Sequence, residues 1–125
     1  MEEILFKAKR IDNGEWVEGD ILHTKHHEIV IISDYEDKAY RCDGTTLCQF
    51  TGLTDKNGKK IWENDIVDTF EESSKEFLRN VVKFEDGCFK VFKKHYLSMH
   101  MDSYEKTDLK VVGNIFDNPD LLEVK

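Results

Sequence analysis

Proline occurs once in this chain and cysteine three times, and no apolar run approaches the ~20 residues that a membrane-spanning helix needs. The single proline, Pro119, falls just past the last strand-like segment. The N-terminus, Met1-Glu2-Glu3, is acidic and lacks the apolar core of an export signal. Those absences point to a cytosolic protein that does not engage a membrane. Cys42, Cys48 and Cys88 have no metal-ligand spacing, and their odd number suggests free thiols, mostly buried. A phosphate-cradling loop is also missing, because Gly44, Gly52 and Gly58 do not lie between a strand and a helix. No Cys/His or Ser/His/acid signature marks a nucleophile.

A concentrated basic face is lacking too. The net charge is −8, which repels a phosphate backbone and argues against nucleic acid as the main partner. Short basic clusters at residues 7–10, 56–60 and 90–95 are each diluted by neighbouring acids and read as solvated faces. With 39% hydrophobic and 35% charged residues in 125 positions, the chain reads as a single domain, residues 1–125, with a real core and a highly charged surface.

What the sequence does contain is turn chemistry, concentrated in residues 51–67, Thr-Gly-Leu-Thr-Asp-Lys-Asn-Gly-Lys-Lys-Ile-Trp-Glu-Asn-Asp-Ile-Val. Asn57-Gly58 supplies two residues tolerant of positive φ, as a tight primed hairpin turn demands. Asn64-Asp65 then redirects the chain into the β-branched start Ile66-Val67. Residues 12–21 echo this grammar, running Asn13-Gly14, Trp16, a turn, then Asp20-Ile21. The simpler reading of the echo is two similar β corners, with Asp20 and Asp65 doing the same structural job.

In chain order, Ile4, Phe6 and Ala8 alternate against Lys7 and Lys9 as a strand. Residues 12–14 turn into a second strand, 15–22, bent at Glu18-Gly19. Residues 29–32 form a continuous β-branched run expected to be buried on both faces. Asp43-Gly44 reads as a turn before a strand at 45–50. Residues 71–76 read as a long hairpin loop, with a helix of one or two turns as the alternative. Residues 78–84 and 88–92 form a hairpin around Asp86-Gly87. Residues 93–106 fit either a strand or one helical face, and a helix is favoured. Residues 109–115 form the last strand, with a bulge or close backbone approach at Gly113-Asn114. Pro119 starts a terminal helical turn. The expected fold is mainly β, a small barrel- or sandwich-like domain with several antiparallel hairpins and one or two short helices.

Candidate chemistry is sparse. His23, His26 and His27 suggest a metal, but no carboxylate or cysteine completes the set, and a solvated loop is favoured. Glu63, Asp65 and Asp68 form an acidic cluster that suits a cation or an acid/base pair; the competing reading is that Asp65 bonds its own turn. Trp16 and Trp62 suit a stacking surface, against the alternative of core packing. No catalytic, cofactor-binding or metal-binding residue is assigned. Trp62, Trp16, Asp65 and Glu63 stand as candidates for a surface or interaction role.

Three segments carry a resemblance. Residues 6–20, 49–67 and 112–122 resemble, in order, the opening, the most recognisable block and the closing segment of the YopX family of phage and prophage proteins. Asn64 stands where that family usually has glycine, and its tolerance of the left-handed conformation should preserve the turn. Cys48 stands where glycine is common, which suggests that this position does not need positive φ. The resemblance implies a mainly β fold and a phage or prophage origin, and it carries no activity or catalytic residue with it. The expected role is a non-enzymatic binding or assembly module with an unknown protein partner, self-associating through exposed strand edges or not. A small hydrolase or metal-dependent enzyme using Glu63, Asp65 or the histidine loop is the first alternative. A nucleic-acid-binding module using Trp16, Trp62 and residues 56–60 is the second.

Overall fold

Antiparallel pairing accounts for nearly all of the regular structure, as the turn spacing implies. The computed structural model describes residues 5–23, 29–33, 38–71, 75–85, 87–93, 97–100 and 109–122. The chain divides into two compact units, Met1–Phe50 and Thr51–Lys125.

The first unit is a closed arrangement of four strands. β1 (Phe6–Arg10), β2 (Trp16–His23), β3 (Ile29–Ser33) and β4 (Lys38–Thr54) pair in order, and β1 also pairs with β4. Closure removes free edges from these strands, the usual liability of a small sheet. Gly19 makes it possible, since it faces Phe6 of β1 and Ser33 of β3 at once. A Cβ there would lie 1.9 Å from the Ile32 carbonyl oxygen, so no other residue fits at the bend. Ala8, Val17, Ile29, Ile31 and Cys42 fill the interior, with Phe6, Ile21, Tyr40 and Leu47 against them.

Two sequence expectations change in this unit. The run at 29–32 is fully buried on one face only, with Val30 and Ile32 half-exposed. Asp43-Gly44 is no turn but a bulge inside the 17-residue β4, where Lys7 faces Cys48 while Lys9 faces Asp43. The Asp43 carboxylate accepts from the Thr45 amide and hydroxyl at 2.9 and 2.7 Å. Thr46 Oγ1 donates to the Asp43 carbonyl at 2.7 Å and accepts from the Lys9 amide at 2.9 Å. Hydroxyls thus take over the ladder where β4 bulges. Cys42 and Cys48 lie along this same strand, both buried, and none of the three cysteines is in a disulfide.

The second unit opens with the end of β4, which pairs with β5 (Lys60–Trp62). A five-stranded antiparallel sheet follows: β6 (Asp65–Glu71), β7 (Glu76–Glu85), β8 (Cys88–Lys93), β9 (Leu97–His100) and β10 (Leu109–Asn114), in the order β10-β6-β7-β8-β9. Ile61, Val67, Val82, Val91, Leu109 and Val111 form its core, with Phe89 against them. Of the loop expected at 71–76, Glu71 ends β6 and Glu76 opens β7 as a facing pair, and residues 72–74 lie outside the described ones. Where a helix was favoured over 93–106, residues 97–100 are a strand paired with β8; strand alternation of Leu97 and Met99 wins over the helical face. The other residues of that stretch, apart from Lys93 in β8, lie outside the described ones. The last strand bulges between Val111 and Gly113, and a Cβ at Gly113 would meet Asn118 Oδ1 at 2.5 Å. Pro119–Leu122 is a 3-10 turn.

Candidate functional site

Several polar side chains of the 51–67 block hold backbone. Asp55 is 1% exposed. Its Oδ1 accepts from the amides of Asn57 and Lys59, both at 2.9 Å, and its Oδ2 accepts from the Val111 amide at 2.9 Å. Burial pushes this carboxyl up, but the three backbone donors and the nearby Lys59 charge outweigh it, and its pKa lies below the ordinary aspartate range. The Lys56 amide also donates to the Leu109 carbonyl at 3.1 Å. The β4–β5 turn therefore covers the outer edge of β10.

The turn itself differs from the expected two-residue primed form. Gly58 N donates to the Asp55 carbonyl, Asp55 N donates to the Lys59 carbonyl, and only Gly58, at φ 80°, is left-handed. That is a three-residue loop with a glycine bulge, a common alternative for the same dipeptide. Asn64 does adopt the left-handed conformation, at φ 72°. Its amide donates to the Val82 carbonyl at 2.7 Å, its carbonyl accepts from Ile115 N at 3.0 Å, and its Oδ1 accepts from Lys83 Nζ at 2.7 Å. Asp65, 2% exposed, accepts the Trp62 amide at 2.8 Å.

Of the four candidates, Trp62 and Asp65 are therefore inside, at 4% and 2% exposure. A side chain so placed cannot offer a stacking face or an open carboxylate. Glu63 is half-buried at the corner. Asp68 is drawn away to the Arg79 guanidinium, at 3.0 Å. The acidic trio is dispersed rather than convergent. Asp20 is exposed mid-strand opposite Ile32, so the N-terminal echo is not a structural repeat. The side chain of His23, together with His26 and His27, lies outside the described residues.

Trp16 behaves differently. It is half-buried at the start of β2, with Lys7 Nζ 4.6 Å and Lys9 Nζ 5.4 Å from its ring centroid. The placement follows from register, since Lys9 faces Trp16 and Lys7 faces Glu18 across the β1–β2 ladder. One residue on, the Arg10 guanidinium lies 4.3 Å from the Tyr40 ring centroid. Its edge meets Asp12, with Nε to Oδ1 at 2.9 Å and an outer nitrogen to Oδ2 at 2.6 Å. That paired hydrogen bond raises the Arg10 pKa and lowers that of Asp12.

Two grooves flank this stack. One, of about 230 Å³, is lined by Arg10, Glu15, Trp16, Val17, Glu18, Ser33 and Tyr40. The other, of about 310 Å³, is lined by Arg10, Ile11, Asp12, Ala39, Tyr40 and Arg41. Arg10 and Tyr40 belong to both. Neither residue stood out in the sequence. The available signal was Arg10 directly before a turn, two positions from an acid, and it does not reveal the tyrosine thirty residues on.

Comparison with known families now bears on the whole chain. The YopX protein family matches over residues 5–123. The chain belongs to the YopX family. Two solved structures share its fold. Protein yopX from Bacillus subtilis superposes with a TM-score of 0.65 at 22% identity, over 98% of this chain and all of that one. Protein EF1440 from Enterococcus faecalis gives 0.62 at 23% identity, over the same shares. A comparison with curated proteins finds no match. Asp55, Asn64 and Asp65 of the block at 51–67 are thus engaged inside the second unit, and the Arg10–Tyr40 face holds the two grooves described above.

Proposed function

We propose that this YopX chain is a non-enzymatic binding module that engages a protein partner through the Arg10, Trp16 and Tyr40 face of its first unit. The observation that carries this reading is the division of labour among its polar side chains. Asp55 and Asp65 are occupied with backbone amides and Asn64 with the Lys83 ammonium inside the second unit, whereas Arg10 and Tyr40 are shared by two open grooves. Partly exposed aromatic and arginine side chains around a groove are the residue types that anchor protein interfaces. Closure of the four strands favours recognition by side chains over strand addition. The family match runs through both units, which supports treating residues 1–125 as one domain. A phage or prophage origin and a place in the bacterial cytoplasm go with the same proposal, and the resemblance to phage and prophage proteins supports both.

Site-specific photo-crosslinking tests it. A photoreactive residue replacing Ile11, which is 55% exposed beside the grooves, should give discrete adducts in bacterial lysate. The same probe at Leu78, 37% exposed in β7, should not. Adducts made only of two copies of this chain would replace the partner with self-association. Equal labelling from both positions, or none from position 11, would overturn the reading.

A further inference from the structure

We propose that Arg10 is a receptor for a carboxylate on an acidic, partly apolar peptide segment, and that Asp12 occupies it as an internal placeholder. The inference rests on the reading of this face as the contact surface and adds the chemistry of what it contacts.

The guanidinium is held by its face and used by its edge. Tyr40 fixes the plane at 4.3 Å, and the two Asp12 oxygens take the fork at 2.9 and 2.6 Å. This is the bidentate geometry in which arginine recognises carboxylates. The two partners differ in how firmly they are placed. The Arg10 side chain is 23% exposed and lies against an aromatic ring, whereas Asp12 is 65% exposed on a turn. Exposed ion pairs of this kind contribute little to stability, so an incoming carboxylate can displace Asp12 while Arg10 stays aligned. The grooves are ready for such a segment. Ile11, Val17 and Ala39 offer apolar surface beside the fork, and Arg41 adds a second cation.

Nucleic acid fits less well. Glu15 and Glu18 line one groove with Arg10, so successive phosphates would meet carboxylates, and the whole chain carries −8. A peptide needs only one carboxylate at the fork and can place neutral side chains elsewhere.

Fluorescence anisotropy with the full chain provides the test, using three probes. They are a short fluorescent peptide with one glutamate among leucine and serine residues, the same peptide with glutamine for glutamate, and oligothymidylate of similar length. The acidic peptide should bind and the glutamine peptide should not. Asp12→Asn should tighten binding about two- to fivefold, by removing a weak internal competitor. Arg10→Gln should weaken it about tenfold or more, and Arg10→Lys should restore only part, because a point charge lacks the fork. Circular dichroism checks that each variant is folded. Failure of the acidic peptide to bind, or unchanged affinity in Asp12→Asn, overturns the inference. Preferential binding of oligothymidylate overturns the ligand class. If crosslinks still form from position 11 while the peptide results fail, the contact surface survives and only its assigned chemistry falls.

Discussion

Replacing Asp55 should unlock the second unit out of proportion to the size of the change. The carboxylate accepts three backbone donors with two oxygens. In Asp55→Ala all three lose their acceptor. Val111 is 8% exposed, and leaving its amide unpaired costs about 1–3 kcal/mol. Asn57 and Lys59 are exposed, so water replaces part of the loss, as for a missing helix cap, at about 1–2 kcal/mol together. The sum is about 2–5 kcal/mol, a large share of the ~5–15 kcal/mol that holds a typical domain. Asp55→Asn is the sharper variant, because its shape is unchanged. An amide offers one acceptor oxygen, so either the turn or Val111 faces an NH2 group, at a cost of about 2–3 kcal/mol. Urea unfolding measures both. The pH dependence has a definite sign. The folded pKa lies below the ordinary value, so the Asp55 contribution is present above about pH 4 and is lost as pH falls through the folded value. The Asp55→Asn variant should lose that part of the acid limb. Stability within about 0.5 kcal/mol of the parent, with an unchanged acid limb, would refute the reasoning.

Three further outcomes follow from the same geometry. Asn64 at φ 72° should tolerate Asn64→Gly better than Asn64→Ala by about 1 kcal/mol, measured by thermal or urea unfolding, because only alanine opposes the left-handed conformation. Gly19→Ala must push a methyl into the Ile32 carbonyl and should cost about 3 kcal/mol or more, visible as loss of the cooperative transition. Asn80 is 0% exposed, donates to Thr69 Oγ1 at 2.8 Å and to the Leu78 carbonyl at 2.9 Å, and leaves Oδ1 without a partner among the described residues. The double variant Thr69→Val with Asn80→Leu should therefore be neutral or stabilising in calorimetry, while Thr69→Val alone should cost about 1 kcal/mol.

Turn chemistry made much of the fold legible. Asp86-Gly87, Asn57-Gly58 and Asn13-Gly14 each marked a hairpin, Gly19 the bend, and Pro119 the terminal turn. These are local rules, satisfied within a few residues. Long-range burial was less readable. Nothing local shows that Asp55 reaches Val111, 56 positions away. Residues 97–100 defeated the periodicity reading because Leu97 and Met101 would share a face in a strand and in a helix alike, and so short a stretch does not separate the two periods. The site was least legible. Trp62 drew notice as a tryptophan yet is buried at a corner, whereas Arg10 and Tyr40 acquire meaning only when β1 and β4 close the first unit.

Hydrogen–deuterium exchange with and without the partner captured by crosslinking from position 11 tests most directly whether recognition belongs to the Arg10–Tyr40 face while the 51–67 block is framework. New protection is expected over residues 7–18 and 38–41, with residues 51–67 unchanged. Protection centred on 51–67, with the first unit unaffected, would contradict the account.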